Sequence, residues 1–137
     1  MKKYELIQLK AYEDERGNLI SFEKGSNCPF DVKRCFYIYD TKDGNVVRGA
    51  HANRRSKFLL VVIHGQCKVR IDTGKQKDEV LLNSPKTALY LNKMVWKEMF
   101  DFSDGAVLMV LSNEKYDESE YIRNYDEYIK ELGKLAV

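Results

Sequence analysis

The sequence lacks any run of apolar residues long enough to span a lipid bilayer. Its polar start, residues 1–5, is not followed by the apolar segment that a secretory signal requires. The three cysteines, Cys28, Cys35 and Cys67, are odd in number and have no C-x-x-C spacing. We therefore expect a cytoplasmic protein with free thiols and no membrane segment.

The sequence also lacks an excess of charge of either sign. It has 23 Lys and Arg against 21 Asp and Glu, a net charge of +2. We expect no nucleic-acid partner, because such binding needs a clustered basic surface, although a few arginines can still bind an anionic small molecule. Repeats, linkers and low-complexity segments are missing too, so residues 1–137 are predicted to form one domain.

Turn-forming residues recur at short intervals, at residues 15–18, 42–45, 64–65, 73–74, 83–85 and 103–105. The short runs between them are rich in β-branched and aromatic residues, which predicts about ten strands in a sandwich or barrel. The run at residues 58–63 (FLLVVI) is apolar on both faces of a strand. One face would pack in the core, and the other must be buried either by a second subunit or by a loop of the same chain.

The C-terminal segment has a different pattern. Residues 117–129 begin with acidic side chains, which suit the first turn of a helix. A stripe at helical spacing is expected to pack this helix on the sheet; its members are Tyr121, Ile122, Tyr125, Tyr128 and Ile129.

Two histidines are candidates for acid–base chemistry. His64 precedes Gly65 at a predicted turn, so we expect it to be a solvated turn residue. His51 lies just before the most apolar strand and, in an extended segment, shares a face with Asn53. Imidazole suits proton abstraction near neutral pH, although a purely structural histidine is the alternative at this stage.

The other polar residues considered for the site fit either a ligand-binding role or a structural one. Arg48, Arg54 and Arg55 are close in sequence and suit a pyrophosphate, but a solvated charged loop explains them equally well. Tyr37 shares one face of an apolar strand with Tyr39, where tyrosines are usually core residues.

Taken together, these segments resemble the sugar 3,4-ketoisomerase family, cupin-like enzymes that act on thymidine-diphosphate (dTDP) 4-keto-6-deoxyglucose. The resemblance runs from about residue 6 to residue 128. The matching segments are residues 14–19 (DERGNL), 29–34 (PFDVKR), 37–40 (YIYD), 48–52 (RGAHA), 95–99 (VWKEM), 116–118 (YDE) and 121–123 (YIR).

The resemblance implies an all-β, cupin-like jelly-roll sandwich with a C-terminal helix, and a homodimer with exchanged N-terminal strands. It implies neither a metal nor an organic cofactor. It also implies the reaction: the proton on sugar carbon 3 is removed, an enediol forms, and carbon 4 is reprotonated, so that the carbonyl moves to carbon 3. The product would receive a 3-amino group on the way to surface glycans.

By the same resemblance His51 is the carbon base, but the family's second histidine is replaced by Asn53. An amide cannot titrate, so Asn53 is expected to act in catalysis by orienting the sugar hydroxyl or the His51 ring. The proton shuttle between the sugar oxygens is then expected to be Tyr37, an ordered water or His51 itself. In a metal-binding cupin Asn53 would be a second histidine and Lys97 a later ligand. A protonated lysine cannot coordinate a metal, and a transition metal is therefore not expected.

Four further residues are expected to bind substrate: Arg48, Arg16, Lys97 and Trp96. Arg48 is expected to hold the pyrophosphate, which requires a bulge at Gly49, because strict alternation would place Arg48 and His51 on opposite faces. Arg16 and Lys97 leave the stereochemistry at carbon 4 open. A sugar-nucleotide epimerase on the same scaffold and a non-catalytic nucleotide-sugar-binding module remain the alternatives.

Overall fold

The computed structural model describes residues 2–41 and 45–135, so most of the predicted turn at residues 42–45 lies outside the described residues. The strands are β1 (Tyr4–Gln8), β2 (Tyr12–Asp14), β3 (Gly17–Leu19), β4 (Arg34–Tyr39), β5 (Val47–Asn53), β6 (Phe58–His64), β7 (Cys67–Asp72), β8 (Lys77–Leu82), β9 (Thr87–Leu91), β10 (Trp96–Phe100), β11 (Val107–Ser112) and β12 (Tyr121–Ile122). A 3₁₀ turn (Glu118–Glu120) precedes β12, and helix α1 (Tyr125–Leu135) follows it.

Ten of the strands form two five-stranded sheets. The first sheet has the order β1-β9-β6-β11-β4 and the second the order β12-β5-β10-β7-β8, while β2 and β3 form a separate hairpin. From β4 to β11 the chain passes from one sheet to the other at every step except β7 to β8, which are neighbours in the second sheet. This is the order expected of a two-sheet jelly roll. The predicted β-sandwich with a C-terminal helix is therefore confirmed.

The main core lies between the two sheets and explains the apolar run in β6. Phe58, Leu60 and Val62 point into this core, whereas Leu59 and Val61 point to the outer face of the sheet. The outer pair is buried in a second cluster by residues of the segment that precedes β4. The members from that segment are Ile20, Phe22, Cys28 and Phe30. A loop of the same chain thus covers the second face at this point.

The predicted helix over residues 117–129 is wrong in its first part. Residues Tyr121 and Ile122 pair with Asn53 and Ala52, so that they extend the second sheet as β12. The helix begins only after Asn124, whose side chain accepts a hydrogen bond from the backbone N–H of Glu127 at 2.9 Å. This N-cap pattern, Asn followed by Glu three residues later, is present in the sequence and marks the true start.

Helix α1 packs on the second sheet through Tyr128, which is fully buried as the apolar stripe predicted. Its hydroxyl lies within hydrogen-bond distance of the backbone carbonyl oxygens of Asp72 and Met94, at 3.0 and 2.9 Å, and its single proton serves both acceptors. Within the described residues, no helix has the length and apolar character needed to cross a membrane.

A bulge in β5 sets which side chains face the space between the sheets. His51 pairs with Lys97 and Gly49 with Glu98, so Ala50 has no partner on β10. Gly49 and Ala50 both have positive φ, 82° and 57°. The predicted irregularity at Gly49 is therefore confirmed, and it puts Arg48 and His51 on the same face of the sheet.

Gly49→Ala is expected to disturb this bulge. An added Cβ would lie 3.1 Å from the Lys97 backbone oxygen and 3.1 Å from Met99 Sδ. Gly25 is a matched control, because its φ of +83° is nearly the same but nothing lies within 4 Å of its added Cβ. Chemical denaturation should show Gly49→Ala to be less stable than Gly25→Ala by about 1–2 kcal/mol. Equal losses of stability in the two variants would mean that the strain of the positive φ, and not the close contacts at Gly49, causes the loss.

Candidate active site

An apolar pocket lies between the sheets, where β5, β10 and β12 face β4, β6, β9 and β11. Its lining residues are Phe36, His51, Phe58, Leu60, Leu91, Lys97, Met99, Val110 and Tyr121. The polar groups of this lining come from His51, Lys97 and Tyr121, the first two being cross-strand neighbours. A few convergent polar groups in an apolar pocket are typical of a small-molecule site.

His51 is held in the pocket as a neutral imidazole. Its ring stacks against Tyr121, with the ring centroids 4.7 Å apart. Burial and then the positive charge of Lys97 lower the pKa of His51 to about 3, while a hydrogen bond with the Gly49 backbone opposes this lowering. At neutral pH the ring therefore has a lone pair that can accept a proton, which is the first requirement of a general base.

This low pKa predicts how stability changes with pH. The unfolded chain, with a histidine pKa near 6.5, binds more protons than the folded protein between that value and about 3. The free energy of unfolding should therefore fall as the pH drops through 6.5, and this group should contribute no change above it. Between pH 8 and pH 5, chemical denaturation should show the native protein losing about 2 kcal/mol more than His51→Asn. Identical pH profiles of the two proteins would contradict a buried, neutral His51.

Lys97 and Asn53 lie beside His51 and are both buried, with 3% and 0% of their surface exposed. The Lys97 Nζ donates to Asn53 Oδ1 at 3.2 Å and lies 4.8 Å from the centroid of the Phe58 ring. Complete burial lowers the pKa of Lys97 to about 7, against the opposing charge of Glu120. Both the ammonium and the neutral amine are therefore accessible near neutral pH.

Glu120 fastens the C-terminal segment to the end of β5. Its carboxylate accepts hydrogen bonds from the backbone N–H groups of Arg55 and Ser56 at 2.9 and 2.8 Å, and from the Ser56 hydroxyl. The next residue, Tyr121, begins β12 and lies against His51. The carboxylate thus positions one wall of the pocket and supplies a negative charge near Lys97.

Two arginines lie at the Tyr121 side of the pocket. The Arg34 Nη1 donates to the Tyr121 hydroxyl at 3.0 Å, and the Arg123 guanidinium lies 4.6 Å from the Tyr121 ring centroid. Their charges add to the lowering of the His51 pKa. The sequence analysis assigned Arg34 and Arg123 no role at the site and placed Tyr121 on a helical stripe. Tyr121 and Arg123 come near His51 through the pairing of β12 with β5, and Arg34 reaches Tyr121 from β4 in the other sheet.

The three arginines near His51 in sequence have different surroundings. Arg48 pairs with Met99, a pocket residue, and cross-strand partners point to the same face, so Arg48 is on the pocket side of its sheet. Arg54 instead forms an ion pair with Glu131 at 2.9 Å, and Arg55 forms one with Asp117 at 2.8 Å. The latter two connect β5 to the C-terminal segment.

Tyr37, Trp96 and Arg16 were expected at the site but do not line this pocket. On β4, Phe36 faces the pocket, so its neighbour Tyr37 points to the outer face, where it is 63% exposed and stacks on Tyr39. On β10, the neighbour of Lys97 is Trp96, which packs under α1 against Tyr125 and Tyr128. The structure therefore places neither Tyr37 nor Trp96 beside His51, and the pleat of each strand is the reason.

Arg16, the remaining expected ligand, lies in the turn of the β2–β3 hairpin, where its guanidinium pairs with Asp14 at 2.7 Å. It is not among the residues that line the pocket. As for metals, within residues 2–41 and 45–135 no three His, Cys, Asp or Glu side chains are grouped as potential ligands.

The fold and the pocket define a β-sandwich protein with an apolar pocket that contains His51 beside the buried Lys97. A family model described as "FdtA: WxcM-like, C-terminal" matches residues 2–133. The chain belongs to this family.

Curated and solved relatives agree with this assignment. A TDP-4-oxo-6-deoxy-alpha-D-glucose-3,4-oxoisomerase of Aneurinibacillus thermoaerophilus is 43% identical over 130 residues, which cover 95% of this chain and 93% of that protein. The 3,4-ketoisomerase QdtA of Thermoanaerobacterium thermosaccharolyticum, solved with TDP, is 39% identical with a TM-score of 0.93, and 98% of each chain is covered. A histidine-to-asparagine mutant of QdtA, solved with TDP-4-keto-6-deoxyglucose, has a TM-score of 0.92 at 39% identity and covers 98% of this chain and 96% of that chain. The resemblance to the sugar 3,4-ketoisomerases is confirmed.

Proposed function

We propose that this protein is a dTDP-sugar 3,4-ketoisomerase that converts dTDP-4-keto-6-deoxyglucose to the 3-keto isomer. The observation that carries the proposal is the neutral imidazole of His51, held in an apolar pocket next to Lys97 and Asn53. The names of the relatives supply the substrate class. The reaction needs no net oxidant, since the carbonyl moves by one carbon as protons change places.

In this proposal His51 removes the proton from carbon 3. That proton is acidified by the neighbouring ketone, so one positioned base and one group that stabilises the enediolate oxygen are sufficient. The His51 pKa of about 3 belongs to the ligand-free pocket and is lowered in part by Lys97, Arg123 and Arg34. A bound diphosphate and a developing enediolate would offset these positive charges, which raises the basicity of His51 when the substrate is present.

Arg48 is our candidate for the pyrophosphate. It is an exposed arginine on the pocket side of β5, and a guanidinium binds phosphate oxygens in a bidentate fork. Arg54 and Arg55 are less suitable, because carboxylates already pair with them. Binding of the nucleotide is therefore expected to depend on Arg48 more than on either neighbour.

We further propose one domain over residues 1–137 that acts as a homodimer with exchanged N-terminal strands. Tyr12 and Leu19 of the β2–β3 hairpin are 58% and 60% exposed, and the outer face of the first sheet exposes Tyr37, Tyr39 and Ile63. Apolar surface of this kind is normally covered, and an exchange of the N-terminal strands would also give Arg16 a new environment. Cys28, Cys35 and Cys67 are all free thiols, which supports the proposed cytoplasmic location.

The proposed function is tested by incubating the protein with dTDP-4-keto-6-deoxyglucose in heavy water and following sugar carbons 3, 4 and 5 by NMR. Exchange at carbon 3 with migration of the carbonyl is the expected result. Exchange at carbons 3 and 5 with the ketone unmoved would identify an epimerase, and no exchange would identify a binding protein. The same assay after chelation tests the predicted independence of metal, and the product configuration at carbon 4 indicates which amino-sugar route follows towards surface glycans.

A further inference from the structure

Lys97 is a buried lysine that faces the reacting group. It lies on β10 directly opposite His51, with 3% of its surface exposed, and its Nζ hydrogen-bonds to Asn53 Oδ1 at 3.2 Å. Among the described residues, no carboxylate lies within ion-pair distance of this Nζ. Burying an ammonium group without an ion pair is costly, so packing alone does not account for a lysine here.

The groups that face Lys97 are few and come from three elements. His51 and Asn53 face it from β5, Phe58 from β6, and the charge of Glu120 from the 3₁₀ turn. The Glu120 carboxylate already accepts hydrogen bonds from the backbone N–H groups of Arg55 and Ser56 and from the Ser56 hydroxyl. The Lys97 side chain therefore has a fixed position and, with a pKa of about 7, no fixed charge at neutral pH.

The side-chain amide of Asn53 also has an unsatisfied hydrogen-bond donor. It is completely buried, and its Nδ2 has no hydrogen-bond partner among the residues that the structure describes. A buried amide N–H without a partner is unfavourable unless a ligand supplies an acceptor. A sugar oxygen could accept a hydrogen bond from the Asn53 Nδ2. Because the Asn53 Oδ1 also binds the Lys97 Nζ, the amine would then lie beside the same part of the sugar.

We infer that Lys97 is a catalytic residue of the isomerisation, the group that moves a proton from the oxygen on carbon 3 to the oxygen on carbon 4. This inference rests on the proposed ketoisomerase function and adds the identity of the shuttle. It replaces Tyr37, which points away from the pocket, and it explains how a chain with Asn53 in place of a second histidine retains a titratable group.

The proton transfers balance without any co-reactant. His51 takes the proton from carbon 3, the C–H electron pair becomes the C3–C4 double bond, and the carbonyl π pair moves to the oxygen on carbon 4. The Lys97 ammonium gives this oxygen a proton, and the resulting amine takes the proton from the hydroxyl on carbon 3. The oxygen–hydrogen pair then forms the new carbonyl at carbon 3. The double-bond pair takes the proton held by the His51 imidazolium, which forms the C–H bond at carbon 4 and returns His51 to its neutral state.

Substitutions at Lys97 separate a shuttle from a fixed charge. Lys97→Arg keeps the positive charge but cannot release a proton near neutral pH, whereas Lys97→His changes the shape but keeps a titratable nitrogen. We expect Lys97→Arg and Lys97→Met to lose carbonyl migration by about a hundredfold or more, while Lys97→His stays within about tenfold of the native rate. Hydrogen exchange at carbon 3 should continue in Lys97→Arg, because His51 is intact.

A double variant provides the decisive comparison. Asn53→His combined with Lys97→Arg moves the titratable group from β10 to β5, and it should regain at least about tenfold of the migration lost in Lys97→Arg alone. TDP binding and thermal unfolding are measured for every variant, and only variants that bind TDP are compared. Migration in Lys97→Arg within about threefold of the native rate would overturn the inference and leave the ketoisomerase standing, whereas a native protein that moves no carbonyl would overturn the function itself.

The inference about Lys97 can also be tested on the native protein, without any substitution. With lysine labelled at ¹⁵Nζ, one resonance should titrate near pH 7, well below the 10.5 of an exposed lysine. If every lysine resonance titrated close to 10.5, the amine could not exchange its proton at neutral pH and the inference would be wrong.

Discussion

His51→Asn is expected to lower kcat for the 3,4-isomerisation by at least about a hundredfold, the usual contribution of a positioned general base. Asparagine has a similar size and can keep a hydrogen bond, but it cannot accept a proton at neutral pH. Binding of TDP should change little, because the nucleotide does not depend on proton abstraction. The measurements are steady-state kinetics with the 4-keto sugar nucleotide and calorimetric titration with TDP.

The chain offers a matched control in His64→Asn. His64 ends β6 and is exposed to solvent, in agreement with the turn position predicted for it. The same substitution there should leave kcat within about twofold, as expected for a surface change remote from the pocket. An active and folded His51→Asn protein would remove His51 from the mechanism, whatever the behaviour of the control.

Glu120→Ala is expected to reduce the free energy of unfolding by about 3–5 kcal/mol, as is typical when one partner of a buried charged network is removed. The substitution would leave two backbone N–H groups and the Ser56 hydroxyl without their acceptor. It would also release the start of β12 and with it Tyr121, which stacks on His51. Chemical denaturation measures the loss, and the activity assay should show lower turnover in the protein that remains folded.

Glu118→Ala is the control for this change, because Glu118 lies in the same 3₁₀ turn but is exposed. Its stability should differ from that of the native protein by no more than about 0.5 kcal/mol. If Glu120→Ala lost less than about 1 kcal/mol, water would be satisfying the freed donors and Glu120 would not be the anchor described above.

Local patterns in the sequence were sufficient for the architecture. Turn residues and β-branched runs predicted the sandwich. The expectation that Arg48 and His51 both contact the substrate, although they are three residues apart, predicted the bulge at Gly49. These predictions succeeded because alternation along a strand and positive φ at glycine depend on neighbouring residues. The C-terminal helix was placed too early for a related reason: Tyr121 and Ile122 fit a helical stripe, but their pairing with β5 is a contact between distant parts of the chain.

The site was predictable only in part. His51 and Asn53 were placed on one face by their spacing, and both lie next to Lys97 in the folded chain. Tyr37 and Trp96 were expected at the substrate, yet the pleat turns each of them to the opposite face of its strand. A sequence shows that neighbours on a strand alternate, but it does not show which of the two faces the core when both are apolar or aromatic.

By itself the sequence determined the family, the strand-rich fold and the histidine that suits proton abstraction. Each of these depends on short segments and on the order in which they follow one another along the chain. Only the tertiary structure decided what surrounds that histidine. Lys97 meets Asn53 across 44 positions of the chain, and Tyr121 and Glu120 reach the pocket through pairing with β5 and its following turn. The burial that lowers the pKa of His51 and of Lys97 arises from these long-range contacts. Desolvation depends on everything that packs around a group, and no local segment of the sequence contains it.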